Sequence, residues 1–357
     1  MLLAGTILTG WVIVTVLVPP IARVCRQRGW LDLPSQRKIH QTPTPRLTGV
    51  ALFLAIWGTV AVAAIVDPDR MREFTIHALP VGLSALLVLV VGIIDDFRPF
   101  GGWPKLGAEL LTGIPLWEAG IGFERMWVPF VGGVDLGVWS LPVSILWYLM
   151  LLNAINIIDG VDGLAVATTT VATVTLIWIA WSLNLAPIWI ASAGLVGGLV
   201  AFWRHNRPPA KVFMGDSGSL SLGYFFAVIA LLAPIKRFTA LAFFVPLIAL
   251  WLPLTESVFS ILRRTASGRS PMTADASHLH HLLLRAGLTP NQLIVAYALV
   301  TAFFGGMCVA FRYGNRRVLT VILAFFVLLG GWGLAMFLSR RLSRRDAGHR
   351  ARPADEV

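Results

Sequence analysis

Cysteine is nearly absent from this sequence: the 357 residues include two, Cys25 and Cys308, far apart and without a Cys-x-x-Cys spacing. That excludes a disulfide framework and a cysteine-ligated zinc site. Charge is scarce as well, since Asp, Glu, Lys and Arg make up 13% of the chain while 57% is hydrophobic. A soluble core of this size would not need so few charges, and composition therefore places the chain among polytopic integral membrane proteins. Acids are the scarcer sign, 18 against 29 Lys plus Arg, which leaves a net charge of +11. In a membrane protein, basic cytoplasmic loops facing anionic headgroups account for such an excess, so the lipid bilayer is the expected partner and nucleic acid is not. Met1 opens directly onto an apolar run with no basic stretch and no small-residue cleavage site, which predicts a retained first span instead of a signal peptide.

The apolar runs lie near 2–24, 48–66, 77–94, 105–121, 139–157, 163–183, 186–203, 219–235, 238–262, 291–311 and 317–339. They predict an all-α polytopic integral membrane protein of about eleven transmembrane helices with its active-site loops in the cytoplasm. Residues 1–340 form one domain in this reading, and 341–357 a basic, disordered cytoplasmic tail. The fourth run is the weakest, because Glu109 and Glu118 interrupt it. Basic residues set the orientation. The loops after the first, seventh and ninth runs carry Arg26, Arg28, Arg37, Lys38 and Arg46, then Arg204, Arg207 and Lys211, then Arg263, Arg264 and Arg269, and the tail adds six more arginines. All fall on one side, which places the N-terminus outside and the C-terminus in the cytoplasm; two short loops, with Lys236 and Arg237 and with Arg312, Arg316 and Arg317, oppose this. Gly132 and Gly133, between β-branched and aromatic residues, suit a small external hairpin.

The polar islands then all fall on the cytoplasmic side, as one active site would require and scattered helix caps would not. The richest is LLNAINIIDGVDGLAVA, Leu151 to Ala167. Asn153 and Asn156 are three apart and share a helix face; Gly160 and Gly163 then let the chain turn, bringing Asp159 and Asp162 round. Amide and carboxylate oxygens grouped at a helix end suit a hard cation such as magnesium. Asp95 and Asp96 end the third run as neighbouring acids, which repel unless a cation relieves them. In GDSGS, Gly215 to Ser219, a glycine-rich turn feeds a helix N-terminus that presents N–H groups to an anion, with Asp216 able to hold a cation beside it and Ser217 and Ser219 able to cap. His278, His280 and His281, at spacings of two and one, do not share a helix face as zinc ligands would, and suit donation to phosphate or sugar oxygens. Lys38, His40 and Arg46 form a basic loop whose ordinary role is to face headgroups and which can also meet an anionic substrate.

In this order, Asp95–Asp96, NAINIIDGVDGL, KVFMGDSGS and SPMTADASHLHHLLLRAG resemble the polyprenyl-phosphate N-acetylhexosamine-1-phosphate transferases. The likeness is nearest to the bacterial undecaprenyl-phosphate N-acetylglucosamine-1-phosphate transferases that begin O-antigen, enterobacterial common antigen or teichoic acid linkage synthesis. The resemblance implies a magnesium-dependent transfer, with manganese as a substitute, in a bacterial inner membrane: polyprenyl phosphate attacks a UDP-N-acetylhexosamine and UMP leaves. It implies Asn156 and Asp216 as metal ligands; Asp95, Asp96 and Asp159 as catalytic acids; and Asp162 as the residue that reads uracil. Asn153, Lys38 and the His278, His280 and His281 cluster would complete the substrate site, and a homodimer is allowed. Three positions depart from the family pattern: Pro99 stands where many relatives have a third acid, Glu256 where an aspartate is usual, and Thr48 before Gly49 where two glycines are common. A transferase for UDP-MurNAc-pentapeptide is the alternative within the chemistry, disfavoured by the form HLHHLLLR. An ion-coupled transporter is the alternative outside it, disfavoured by the lack of an internal repeat and of acids near the midplane.

Overall fold

The structure, a computed structural model, describes residues 1–34, 42–128, 132–232, 250–266 and 278–313. Lys38, His40, the last predicted run near 317–339 and the tail 341–357 lie outside them.

The described chain is mostly helical. Helix α1 (Leu2–Arg28) closes on Gly29, whose φ of 70° a glycine adopts without strain. A two-residue ladder pairs β1 (Leu31–Asp32) with β2 (Thr44–Pro45), and α2 (Val50–Val66) and α3 (Pro68–Phe97) follow, with Asp67 capping α3 by accepting from Arg70 N at 3.3 Å. After the short helices α4 (Gly102–Thr112) and α5 (Ile114–Glu118), β3 (Arg125–Val128) and β4 (Gly132–Asp135) form the antiparallel hairpin that the glycine pair predicts. Then come α6 (Ser140–Ile158), α7 (Leu164–Ser182), α8 (Ala186–Asn206), α9 (Gly215–Leu232), α10 (Trp251–Ala266), α11 (Leu279–Arg285) and α12 (Pro290–Tyr313).

Among the described residues, seven helices are long and apolar enough to cross a membrane, those of a polytopic membrane protein; α2 and Trp251–Leu262 of α10 are apolar but shorter. The fourth run departs from the expected unbroken span. It is split at Gly113, because Pro115 has no N–H to donate to the carbonyl of Leu111. The pair still carries the chain back along α3. Lys105 lies beside Asp95 near one end of α3, Ser84 midway along α3 donates to Thr112 O at 2.6 Å, and Phe123 N reaches Ser144 Oγ at 2.8 Å near the start of α6.

Helix α9 is the axis of the bundle, buried along nearly its whole length, with α2, α3 and α6 around it. Between lipid-embedded helices there is little hydrophobic drive, so close backbone approach through small residues supplies the adhesion. A Cβ on Gly92 of α3 would stand 2.6 Å from Ser217 Cα, and one on Gly223 of α9 would stand 2.6 Å from Leu152 Cα on α6. Both contacts bring the polar end of α9 against α3 and α6. Gly223→Ala is therefore expected to destabilise the bundle by about 1–3 kcal/mol through overpacking. Thermal unfolding in detergent checks this, and an unchanged midpoint would show that the α6–α9 contact is looser than described.

Candidate active site

Where α3 and α6 end and α9 begins, a cavity of about 460 Å³ opens, walled by Asp95, Asp96, Asn156, Asp159, Asp162 and Asp216. A more enclosed hollow between α2, α3, α8 and α9 is lined almost wholly by apolar side chains and offers little to a polar reaction.

The last turn of α6 delivers Asn156 to the cavity. Its amide nitrogen donates to Asp216 and, at 3.0 Å, to Ser219 Oγ, so two polar groups sixty residues apart meet in one compartment. Asn153, expected on the substrate, takes another course: its amide donates to Glu109 Oε2 at 2.6 Å and to Leu149 O at 2.9 Å, away from the cavity wall. The turn after α6 is pinned from outside. Gly163 has a φ of 73°, and its N–H donates at 3.1 Å to Asn206 Oδ1, while Asn206 Nδ2 donates to Val212 O at 2.9 Å. Asp162 Oδ2 accepts from Ala210 N at 2.9 Å, which ties this turn to the segment leading into α9. Asp159 lies in the cavity wall, and its carboxyl is held well above the ordinary carboxylate range, first by burial and then by the negative charges of Asp216, Asp96 and Asp162.

The glycine turn before α9 behaves differently from its motif. Its N–H groups do bind an anion, but the anion is Asp96: Asp216 N and Ser217 N donate to its two oxygens at 2.8 and 3.1 Å. Gly215 is required twice, by a φ of 69° and because a Cβ would run into the Asp96 carboxylate. The N-terminus of α9 is thus capped from α3 by a residue 120 positions away, and Asp96 positions Asp216. Asp95, one residue earlier and so about 100° round the helix, faces elsewhere. Its Oδ1 accepts from Phe100 N at 2.5 Å, and its Oδ2 lies 2.7 Å from Lys105 Nζ. Lys105 Nζ is also 2.6 Å from Asp216 Oδ1, so one ammonium bridges two carboxylates.

The three histidines separate. His281 lines the cavity. His280 is buried, its Nδ1 lies 2.6 Å from Glu256 Oε1, and its ring pairs with those of His278 and His281 at centroid distances of 5.5 and 4.4 Å.

Comparison with known proteins gives this arrangement a family. The sequence model of "Glycosyl transferase family 4" matches residues 78–233, from α3 through α9. A Bacillus subtilis (strain 168) protein named "Probable undecaprenyl-phosphate N-acetylglucosaminyl 1-phosphate transferase" is 30% identical over 88% of this chain and 85% of its own length. The chain belongs to glycosyl transferase family 4. The decaprenyl-phosphate N-acetylglucosaminephosphotransferase of Mycobacterium tuberculosis (strain ATCC 25618 / H37Rv) is similar at 30% identity over 93% of this chain and 88% of its own. The undecaprenyl-phosphate alpha-N-acetylglucosaminyl 1-phosphate transferase of Escherichia coli (strain K12) is similar at 26% identity over 91% of each.

In this family 4 protein, Lys105, Phe213 and Asn206 join the site without having been singled out in the sequence, and Arg46 of the basic loop joins them. Lys105 carries no motif of its own. Arg46 lines the cavity, pairs with Asp32 and donates to Asp96 O at 3.2 Å, which holds the β1–β2 segment over the end of α3. Phe213 also lines the cavity. Asn206, buried and bonded at both ends of its amide, fixes the 163 turn; Asn206→Ala orphans two buried groups and is expected to destabilise by about 1–3 kcal/mol. A thermal midpoint equal to that of the parent would show that this turn holds without it.

A hard cation fits the donor set. Among the described residues no three His, Cys, Asp or Glu side chains form a ready metal cage. Magnesium does not need one, since it commonly takes one or two protein oxygens and completes its shell with water and phosphate. Asp216 offers a carboxylate, and Asn156 offers an amide oxygen once its terminal group is turned over, as the two orientations differ only in O and N assignment. The Lys105 ammonium between Asp95 and Asp216 already marks this spot as one that attracts positive charge.

Proposed function

We propose that this protein transfers N-acetylhexosamine 1-phosphate, with GlcNAc as the sugar, from a UDP-sugar to undecaprenyl or another polyprenyl phosphate and releases UMP. This is the first membrane step of a cell-surface glycan. The observation that carries the reading is the convergence of Asp95, Asn156, Asp159, Asp162 and Asp216 in one cavity at the end of an apolar bundle. The names of the family relatives agree with it.

In the reaction, a phosphate oxygen of the lipid attacks the β-phosphorus of the sugar nucleotide. The bond from that phosphorus to the bridging oxygen breaks, and the electron pair leaves with UMP. The nucleophile is already ionised near neutral pH, so no strong base is needed, and alignment and charge neutralisation supply most of the catalysis. Asp216 and Asn156 would hold magnesium, or manganese in its place, which would supply charge neutralisation at the diphosphate. Lys105 stands beside these ligands as a second positive charge for the migrating phosphoryl group. Asp162 and the flat ring of Phe213 offer a hydrogen-bonding edge and a stacking face, which suits a nucleobase. The basic loops of the sequence support a bacterial inner-membrane protein of about eleven spans, with the cavity cytoplasmic and the N-terminus outside.

The carboxylates of the cavity lie where α3 and α6 end and α9 begins instead of at mid-depth, which disfavours the transporter reading. The test offers the purified protein a panel of UDP-sugars with undecaprenyl phosphate. UMP release matched by butanol-extractable UDP-GlcNAc label is expected; preference for UDP-MurNAc-pentapeptide, or release of UDP in place of UMP, would replace the reading.

A further inference from the structure

Helix α11 lies between α10 and α12 in the chain. It is seven residues long, too short to persist by its own hydrogen bonds, and two of its leucines, Leu279 and Leu282, are exposed. Yet it supplies His281 to the cavity wall. What ties it down is a buried polar cluster drawn from three helices. Glu256 on α10 is 3% exposed, His280 on α11 is 1% and Tyr297 on α12 is 2%. Glu256 Oε1 accepts from His280 N at 3.1 Å and lies 2.6 Å from His280 Nδ1, while Oε2 accepts from Tyr297 Oη–H at 3.2 Å. Both carboxylate oxygens are therefore engaged, Oε1 by the backbone N–H of His280 with the ring of the same residue in close contact, and Oε2 by Tyr297. Helix α10 packs on α6, so this anchor is fixed to the element that carries Asn156. The His280 ring in turn reaches Gly160 in the cavity turn: its Nε2 would be 3.5 Å from a Cβ there.

We propose that Glu256 is the positioning residue for the sugar-nucleotide side of the cavity, holding His280 and through it setting His281 in the wall. The inference rests on the transferase reading above and deepens it. Glu256 touches no substrate. Its effect passes through the neighbouring ring, 4.4 Å from that of His281 between centroids. A glutamate reaches one methylene further than aspartate, so a shorter acid at this position would have to draw α11 toward α10 to keep both contacts.

The test is a double-mutant cycle with steady-state kinetics for both substrates. Glu256→Gln keeps the shape and one acceptor while removing the charge, and is expected to raise the KM for the UDP-sugar about tenfold. The KM for polyprenyl phosphate should stay within about twofold, and His281→Ala should show the same one-sided effect. In the His281→Ala background, Glu256→Gln should add less than about a twofold change, because its route to the substrate is already gone. Tyr297→Phe, which removes only the Oε2 partner, is expected to raise the same KM by about threefold and carries the cycle if Glu256→Gln does not fold. Equal shifts in both KM values, or factors that multiply across the two backgrounds, would overturn the proposal, since a merely structural residue behaves in that way. An inactive parent protein would instead count against the transferase reading, whereas an active parent with a multiplicative cycle removes only this inference.

Discussion

Asp216→Asn is expected to lower turnover by about 10³-fold, the scale on which a single preorganised electrostatic contact acts at a reacting phosphoryl group, while the protein still inserts and folds. The substitution keeps the shape of the side chain and its contact with Asn156, and the Asp96 cap on the backbone of α9 does not involve the side chain at all. What disappears is the carboxylate charge where the Asn156 amide, the Lys105 ammonium and the first turn of α9 meet. The assay extracts labelled lipid product from membranes with equal amounts of inserted protein. Asn156→Ala should behave in the same direction, and full activity of both variants would remove them from the machinery.

The second large effect is expected at Lys105. Its ammonium lies 2.7 Å from Asp95 and 2.6 Å from Asp216, with only 17% of the side chain exposed. Lys105→Met leaves two carboxylates facing each other without their shared cation, a repulsion that a partly buried site screens poorly. Turnover should fall by about 10²-fold. Stability without divalent ions should fall as well, and added magnesium should then raise the thermal midpoint of Lys105→Met by more than it raises that of the parent. That difference separates a charge role from a packing role. A midpoint that magnesium moves equally in both proteins would mean that Lys105 and the ion do not share a site.

Much of the cavity was legible in the sequence, because charges and amides placed in an apolar chain need a common wet location. Asp95, Asp96, Asn156, Asp159, Asp162, Asp216 and His281 do line one cavity. The partners were not legible. The pair Asp95–Asp96 reads as one acidic unit along the chain, yet consecutive helical residues point about 100° apart, and one turns to Lys105 while the other caps α9. Asn153 and Asn156 share a face in the helical spacing, but Glu109 on α4 claims the first. The spacing of His278, His280 and His281 gave no sign that His280 is a buried strut while His281 faces the cavity. Glu256 stood out only as a departure from an aspartate, since its partner lies on another helix. The fourth run illustrates the limit of hydropathy: apolar content predicts a span, while Gly113 and Pro115 divide the run into two short helices.

Asn156 and Asp216 are proposed to hold one divalent ion in a single pocket. Manganese titration of the purified protein, read by electron paramagnetic resonance, tests it without requiring turnover. One tightly bound ion per chain is expected in the parent, with binding lost in Asp216→Asn and weakened in Asn156→Ala. Identical manganese spectra and affinities in all three proteins would show that these two side chains hold no ion.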